Sequence, residues 1–202
     1  MKLDERSHNA LYTYTKGLSV ALGFRDELTL LHSERVQKLS ATIGEEYGLD
    51  AEELEALKIA ASFHDIGKIG IPDHILLKPS RFDALEWEKM KEHAEIGASI
   101  IASTELEGAE LAANVIRHHH ENFDGSGYPD RLAGDDIPIC SRIIAIADSY
   151  DALAATRAYH NARKHKEIMA ILHIENGNKY DPELMRIFCE FIETSRFKAT
   201  NH

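Results

Sequence analysis

An all-α domain is the fold class that this sequence predicts, and three observations predict it. Apolar residues recur at helical spacing between turn signals, and alternating strand patterns are absent. The five prolines and twelve glycines cluster at a few points: Gly67 to Pro72, Lys78-Pro79, Gly125 to Pro138 and Gly177 to Pro182. A length of 202 residues gives one domain, against roughly 150 per domain. With 44% hydrophobic and 28% charged residues, the chain is globular and can bury a sizeable core.

The elements follow in order. Residues 1–24 read as an entry helix or signalling linker, 25–196 as the domain proper and 197–202 as a tail. His32 opens the second helix, ahead of a stripe formed by Val36, Leu39, Ile43 and Tyr47. Asp50 is a good N-cap for AEELEALKIAASFH, with Glu53 at the capping-box position. Leu54, Leu57, Ala61 and His64 then share one face. His64 and Asp65 close this third helix, just before Gly67, which is placed to end it in a left-handed cap. Segments 83–102, 107–121, 138–156, 163–175 and 182–196 complete the helical reading.

Composition excludes several functions. The net charge is −11, which repels duplex nucleic acid and argues against a broad phosphate-tracking groove. No run of 18 apolar residues is present, so no membrane span is expected, and the N-terminus lacks a secretory h-region. Cys140 and Cys189 stand far apart and outside any CxxC pattern, against a disulfide scaffold or a thiolate zinc site. A reduced, cytoplasmic protein is the simplest reading.

Twelve histidines are unusual, and their placement points to metal chemistry. His32, His64 with Asp65, His93, and His119 with His120 fall on apolar faces or at helix ends. His93 sits mid-helix in EWEKMKEHAEIGASII, and Leu111, Val115 and His119 share a face at i, i+4 and i+8. Asp148 and Asp151 lie on the side of Ile144 and Ala147, where a carboxylate costs several kcal/mol unless a cation meets it. A buried salt bridge or a helix-to-helix hydrogen bond is the plain alternative for Asp148. His8, His74, His160, His165, His173 and His202 read as ordinary core or surface histidines, and His118 as a supporting or exposed one. Imidazole with carboxylate and no thiolate suits Fe, Mn, Ni or Zn rather than Mg alone. Five histidines and two aspartates exceed what one tetrahedral ion needs, so two ions are the economical reading. Two such ions would also invert the acidic field locally.

With HDIGKIGIPD at 64–73 and HHENFDGSGYP at 119–129, the sequence resembles the HD-GYP domain family from about Arg25 to Phe191. HSERV at 32–36, KEHAEIGASII at 91–101, ADSYDAL at 147–153 and YDPEL at 180–184 extend the resemblance. It implies an all-α HD fold extended by C-terminal helices. It also implies a two- or three-metal centre that hydrolyses cyclic dinucleotides, chiefly cyclic di-GMP, in bacterial second-messenger signalling. Carried over by position, the metal ligands are His32, His64, Asp65, His93, His119, His120 and Asp148. Two divalent transition-metal ions are expected, Fe or Mn first, with Ni or Zn as alternatives. Asp65 is expected to bridge them, and Lys68 to approach the scissile phosphate. Gly127, Tyr128, Asp151 and Arg157 are expected to contact the substrate.

Departures from the family pattern bear on the metal count and the substrate. Where some members carry a glutamate that helps hold a third metal, this chain has Leu28, so two ions are expected. The motif usually written DALTxxRPY reads DALAATRAY, the basic residue after that tyrosine is His160, and Arg131 replaces a glycine. Two further readings therefore stand beside cyclic di-GMP hydrolysis. One is a weakly active or inactive cyclic-dinucleotide receptor that acts through protein partners. The other is a phosphodiesterase that prefers cyclic GMP-AMP. Relatives often follow a receiver or sensory domain and associate with diguanylate cyclases, while oligomeric state is left open.

Overall fold

The computed structural model describes residues 5–25, 27–155 and 162–199. Among them the fold is all-α, as expected. Ten α-helices run in order: α1 Glu5–Arg25, α2 Glu27–Tyr47, α3 Ala51–Phe63, α4 Asp73–Leu76, α5 Ala84–Lys91, α6 His93–Ala102, α7 Ala109–Arg117, α8 Ile139–Ala154, α9 His165–Ile174 and α10 Pro182–Ile192. Short 3₁₀ segments at Ile66–Gly70 and Gly134–Asp136 fill two of the connections.

One core holds these helices together. Val36, Leu39 and Ile43 of α2, Leu57 and Ala61 of α3, and Ile143, Ile144 and Ala147 of α8 are buried in the same cluster. Leu11 and Leu22 of α1 belong to it too, so the segment read as an entry helix packs against the domain. Its last residue, Arg25, hydrogen-bonds the carbonyls of Ile69 and Ile71 and so ties α1 to the 3₁₀ segment. At the other end Phe197 and Ala199 lie against the same core, and Ala199 N–H donates to the Tyr150 hydroxyl at 2.8 Å. The described part of the expected tail is thus packed as well.

Local chemistry explains three of the helix starts. Asp50 caps α3 in a complete capping box with Glu53. Asp83 does the same for α5 with Glu86, and Asp181 caps α10, with Pro182 in its first turn. The structure also corrects several boundaries. The stretch 83–102 is two helices that break at Glu92, so His93 opens α6 rather than sitting mid-helix. Helix α7 ends at Arg117, which leaves His118, His119 and His120 in the turn beyond it. Leu111 and Tyr47 are exposed, so neither continues the buried stripe assigned to it.

Gly67 differs from expectation in an instructive way. It lies inside the 3₁₀ segment without a positive φ, so it is no left-handed cap. Its lack of a side chain serves close approach instead. A Cβ there would stand 1.9 Å from the His93 carbonyl oxygen and 2.5 Å from the Gly97 nitrogen. The 3₁₀ segment can therefore lie directly against the first turn of α6. That contact sets Asp65 beside His93.

Candidate metal centre and its cavity

Seven residues separated by up to 116 positions converge at one point. Six of them form two triads, His32–His64–Asp148 and His93–His119–His120, each with ligand atoms within 4.8 Å of one another. Asp65 lies between them: Oδ2 is 3.6 Å from His64 Nε2, and Oδ1 is 3.6 Å from His93 Nε2. Each carboxylate oxygen thus faces a different triad, the arrangement a bridging ligand requires.

Hydrogen bonding fixes which imidazole nitrogen faces inward. Nδ1 of His64, His93 and His119 sits 2.8, 2.7 and 2.6 Å from the carbonyls of Ala61, Met90 and Ile116. A carbonyl only accepts, so each Nδ1 carries the proton and each Nε2 presents a lone pair. His93 Nε2 and His119 Nε2 then face each other at 3.4 Å with no proton to share. His64 Nε2 is buried with no hydrogen-bond partner among the described residues. Lone pairs left converging and unpaired in a core are costly, and a cation satisfies them together. This donor set fits divalent metal.

Electrostatics agrees for most ligands. Burial lowers the pKa of His93 and His120, and it takes His119 down to about 3, aided by repulsion from His64 and His93. These rings are neutral and ready to ligate. Burial works to raise the Asp65 carboxyl, but the Lys68 ammonium beside it holds it well below the usual carboxylate range. His32 is the exception. Burial works to lower it, yet hydrogen bonds from its two nitrogens to Asp148 (2.9 Å) and Asp151 (2.6 Å) lift it to about 9.

Asp151, expected from the sequence to contact substrate, sits behind His32. Its Oδ2 meets His32 Nδ1, and Arg35 clamps both oxygens at 2.7 and 2.9 Å. With its acceptors occupied behind the ligand ring, Asp151 orients His32 and does not line the main cavity. Lys68 Nζ donates to Asp65 Oδ2 at 2.7 Å, at the edge of the centre. Arg157 and His160 lie outside the described residues, as does the side chain of Leu28.

A cavity of about 940 Å³ opens onto the centre. His120 and Asp148, the half-buried member of each triad, line it together with His119. Gly127 and Tyr128 form another wall, where Gly127 packs so closely that a Cβ would lie 2.2 Å from the Asn122 nitrogen. The Tyr128 ring tilts over His120 at 5.0 Å between centroids. The loop is strapped to α7 through Asp130, which Arg117 grips with two nitrogens and His118 Nε2 meets at 2.9 Å. Asp130 N–H also donates to the buried Glu121 at 2.7 Å. Sequence reasoning missed this strap; its one signal was the charge density of HHHEN beside YPDR. Trp87, Lys91 and Lys179 also line the cavity and were not anticipated.

The HD domain family matches residues 18–184. This chain belongs to the HD-GYP branch of that family. Among curated proteins, this HD-GYP chain is 39% identical over 188 residues to a 3'3'-cGAMP-specific phosphodiesterase 2 of Vibrio cholerae, covering 93% of the chain and 35% of that protein. It is 40% identical to a cyclic di-GMP phosphodiesterase of Thermotoga maritima, covering 88% and 48% respectively. The chain therefore spans between about a third and a half of these relatives' lengths. Among solved structures, an HDG"Y"P protein from Bdellovibrio bacteriovorus shares the fold with a TM-score of 0.66 at 17% identity, covering 92% of this chain and 62% of that one. A cyclic GMP-AMP-specific phosphodiesterase of V. cholerae shares it with a TM-score of 0.63 at 19% identity, covering 89% and 49%. Among the described residues, no helix is long and apolar enough to cross a membrane.

Proposed function

We propose that this domain hydrolyses a phosphodiester bond of a cyclic dinucleotide at a two-metal centre. The observation that carries the proposal is Asp65, whose two oxygens each face a separate triad of inward-pointing ligand atoms. His32, His64 and Asp148 would hold one ion, His93, His119 and His120 the other, with Asp65 shared. Ligands of imidazole and carboxylate suit Fe or Mn, with Ni or Zn as alternatives. Such ions supply Lewis acidity toward phosphoryl oxygens and a nucleophile at neutral pH.

The chain's own residues do the rest. Lys68 holds a positive charge beside Asp65, where it offsets charge gathering on phosphate oxygens. Tyr128, braced by the Gly127 close contact and the Asp130 strap, bounds the pose of a rigid ring and so reduces the entropy lost on the way to reaction. The cavity volume lies at the upper end of the ~300–1,000 Å³ typical of ligand sites, which supports a substrate larger than a mononucleotide.

The test is a chromatographic assay of metal-loaded protein with cyclic di-GMP, 3'3'-cyclic GMP-AMP and cyclic di-AMP. Metal-dependent appearance of a linear dinucleotide is expected, with cyclic di-GMP the favoured substrate. Similarity to the V. cholerae cyclic GMP-AMP enzyme supports that dinucleotide as the second reading. Protein that carries two ions and cleaves none of the three would refute the proposal.

A further inference from the structure

Trp87 sits 45% exposed on α5 in the wall of the catalytic cavity. Packing does not account for it. The small apolar cluster beneath α5 is built on Ile71, Ile75 and Met90, and Trp87 is not part of it. An indole left half in water forfeits much of the gain from burying a large side chain, unless something apolar covers it.

Ring geometry shows what that cover would be. Phe82 runs nearly parallel to the indole, at 22° and 6.4 Å between centroids, and Tyr128 meets it edge-on at 6.1 Å. Tyr128 in turn lies over His120, a ligand of the centre, at 5.0 Å. The indole is thus two ring contacts from the metal-binding imidazole. Charge sorts the two ends of the cavity. The metal-binding triads, through His119, His120 and Asp148 in the lining, mark the end that attracts phosphate. The wall around Trp87 carries Glu88, paired with Lys91 at 2.7 Å, and Glu92, paired with Lys89 at 2.6 Å, so its charges are balanced locally. That charge-balanced, aromatic wall offers no surplus cation to phosphate and suits the flat face of a purine.

We infer that Trp87 stacks one purine base of the substrate and sets its affinity, with Tyr128 closing the corner of the slot. This rests on the reading that the cavity takes a cyclic dinucleotide. Stacking on an aromatic side chain contributes mainly to binding, so it should appear in KM rather than kcat.

Trp87 is the single tryptophan of the chain, which makes its fluorescence a direct probe. Metal-loaded protein is titrated with a non-hydrolysable phosphorothioate analogue of cyclic di-GMP, with GMP and with ribose 5-phosphate. Quenching by the analogue and by GMP, but not by ribose 5-phosphate, is expected. In the hydrolysis assay Trp87→Ala should raise KM about tenfold with kcat within about twofold, and Trp87→Phe should recover most of the loss. A melting curve for Trp87→Ala that matches wild type shows that the fold is intact. If substrate is cleaved while fluorescence stays flat and KM is unchanged, the stacking role is overturned and the phosphodiesterase reading survives. If nothing is cleaved yet the base-bearing probes quench, the stacking role holds and the phosphodiesterase reading falls.

Discussion

Replacing Gly67 by alanine should damage the metal centre without touching a ligand. The new Cβ would stand 1.9 Å from the His93 oxygen, 2.5 Å from the Gly97 nitrogen and 2.8 Å from the His93 carbonyl carbon. All three are backbone atoms of α6, so no side chain can swing aside. Restoring a tolerable contact of about 3 Å requires the 3₁₀ segment and α6 to part by about 1 Å, an overpacking that costs roughly 1–3 kcal/mol. Asp65 precedes one of these segments and His93 opens the other. Metal ligands tolerate only about 0.2 Å of misplacement, so the separation should weaken the site they share. Two assays check this: thermal melting with and without metal, and ions retained per chain after dialysis against a mild chelator. A Tm lower by several degrees is expected, from ~2–4 °C per kcal/mol in a chain of this size, together with loss of bound metal. Gly17→Ala is the matched control, because nothing lies within 4 Å of a Cβ there and helix propensity favours alanine. If Gly67→Ala melts with wild type and keeps both ions, the close approach is not what positions His93.

Three further outcomes follow from the same geometry. Wild-type protein purified anaerobically should carry two transition-metal ions by elemental analysis, and Asp65→Ala should carry fewer and show no turnover. Three well-occupied ions in wild type, or full activity in the variant, would contradict the bridging role. Asp151→Ala should weaken metal affinity by about 10–100-fold, measured by competition with a chromogenic chelator, because it releases the ring of His32. The metal-free protein should also lose stability as pH rises. His32 has a folded pKa of about 9 against an ordinary 6.5, so its contribution is fully present below about pH 6.5 and fades as pH rises through 9. The full shift corresponds to about 3 kcal/mol, of which about 2 kcal/mol is lost between about pH 7.5 and 9.5. In that window the buried neutral His93, His119 and His120 add no opposing slope. Denaturant titration at those two values should show a loss that a His32→Gln variant lacks. A divalent ion competes with that proton, so metal affinity should rise over the same range.

The helical class and the Asp50 helix start are written in the sequence, because each depends on local spacing, and the proposed ligand set was suggested there by each residue's own chemistry and by the family resemblance. Imidazoles and carboxylates on apolar faces call for a partner whatever the fold, since the cost of burying them unpaired is a local property. The sequence did not show how the seven ligands divide into triads, because that partition depends on how helices far apart in the chain cross. It placed Asp151 beside Asp148 on one helical face, but only the packing of α2 against α8 turns that carboxylate toward His32 and Arg35. Gly67 read as a helix terminator by habit of its type. Its actual role, admitting the α6 backbone, depends on a neighbour 26 positions away by sequence. Trp87 carried no signal, since an indole on a short amphipathic helix reads as core until the cavity beside it is seen. Local propensity and side-chain chemistry thus determined what the centre is made of. Tertiary packing, which brings distant backbones within contact distance, decided how it is arranged and which groups face the substrate.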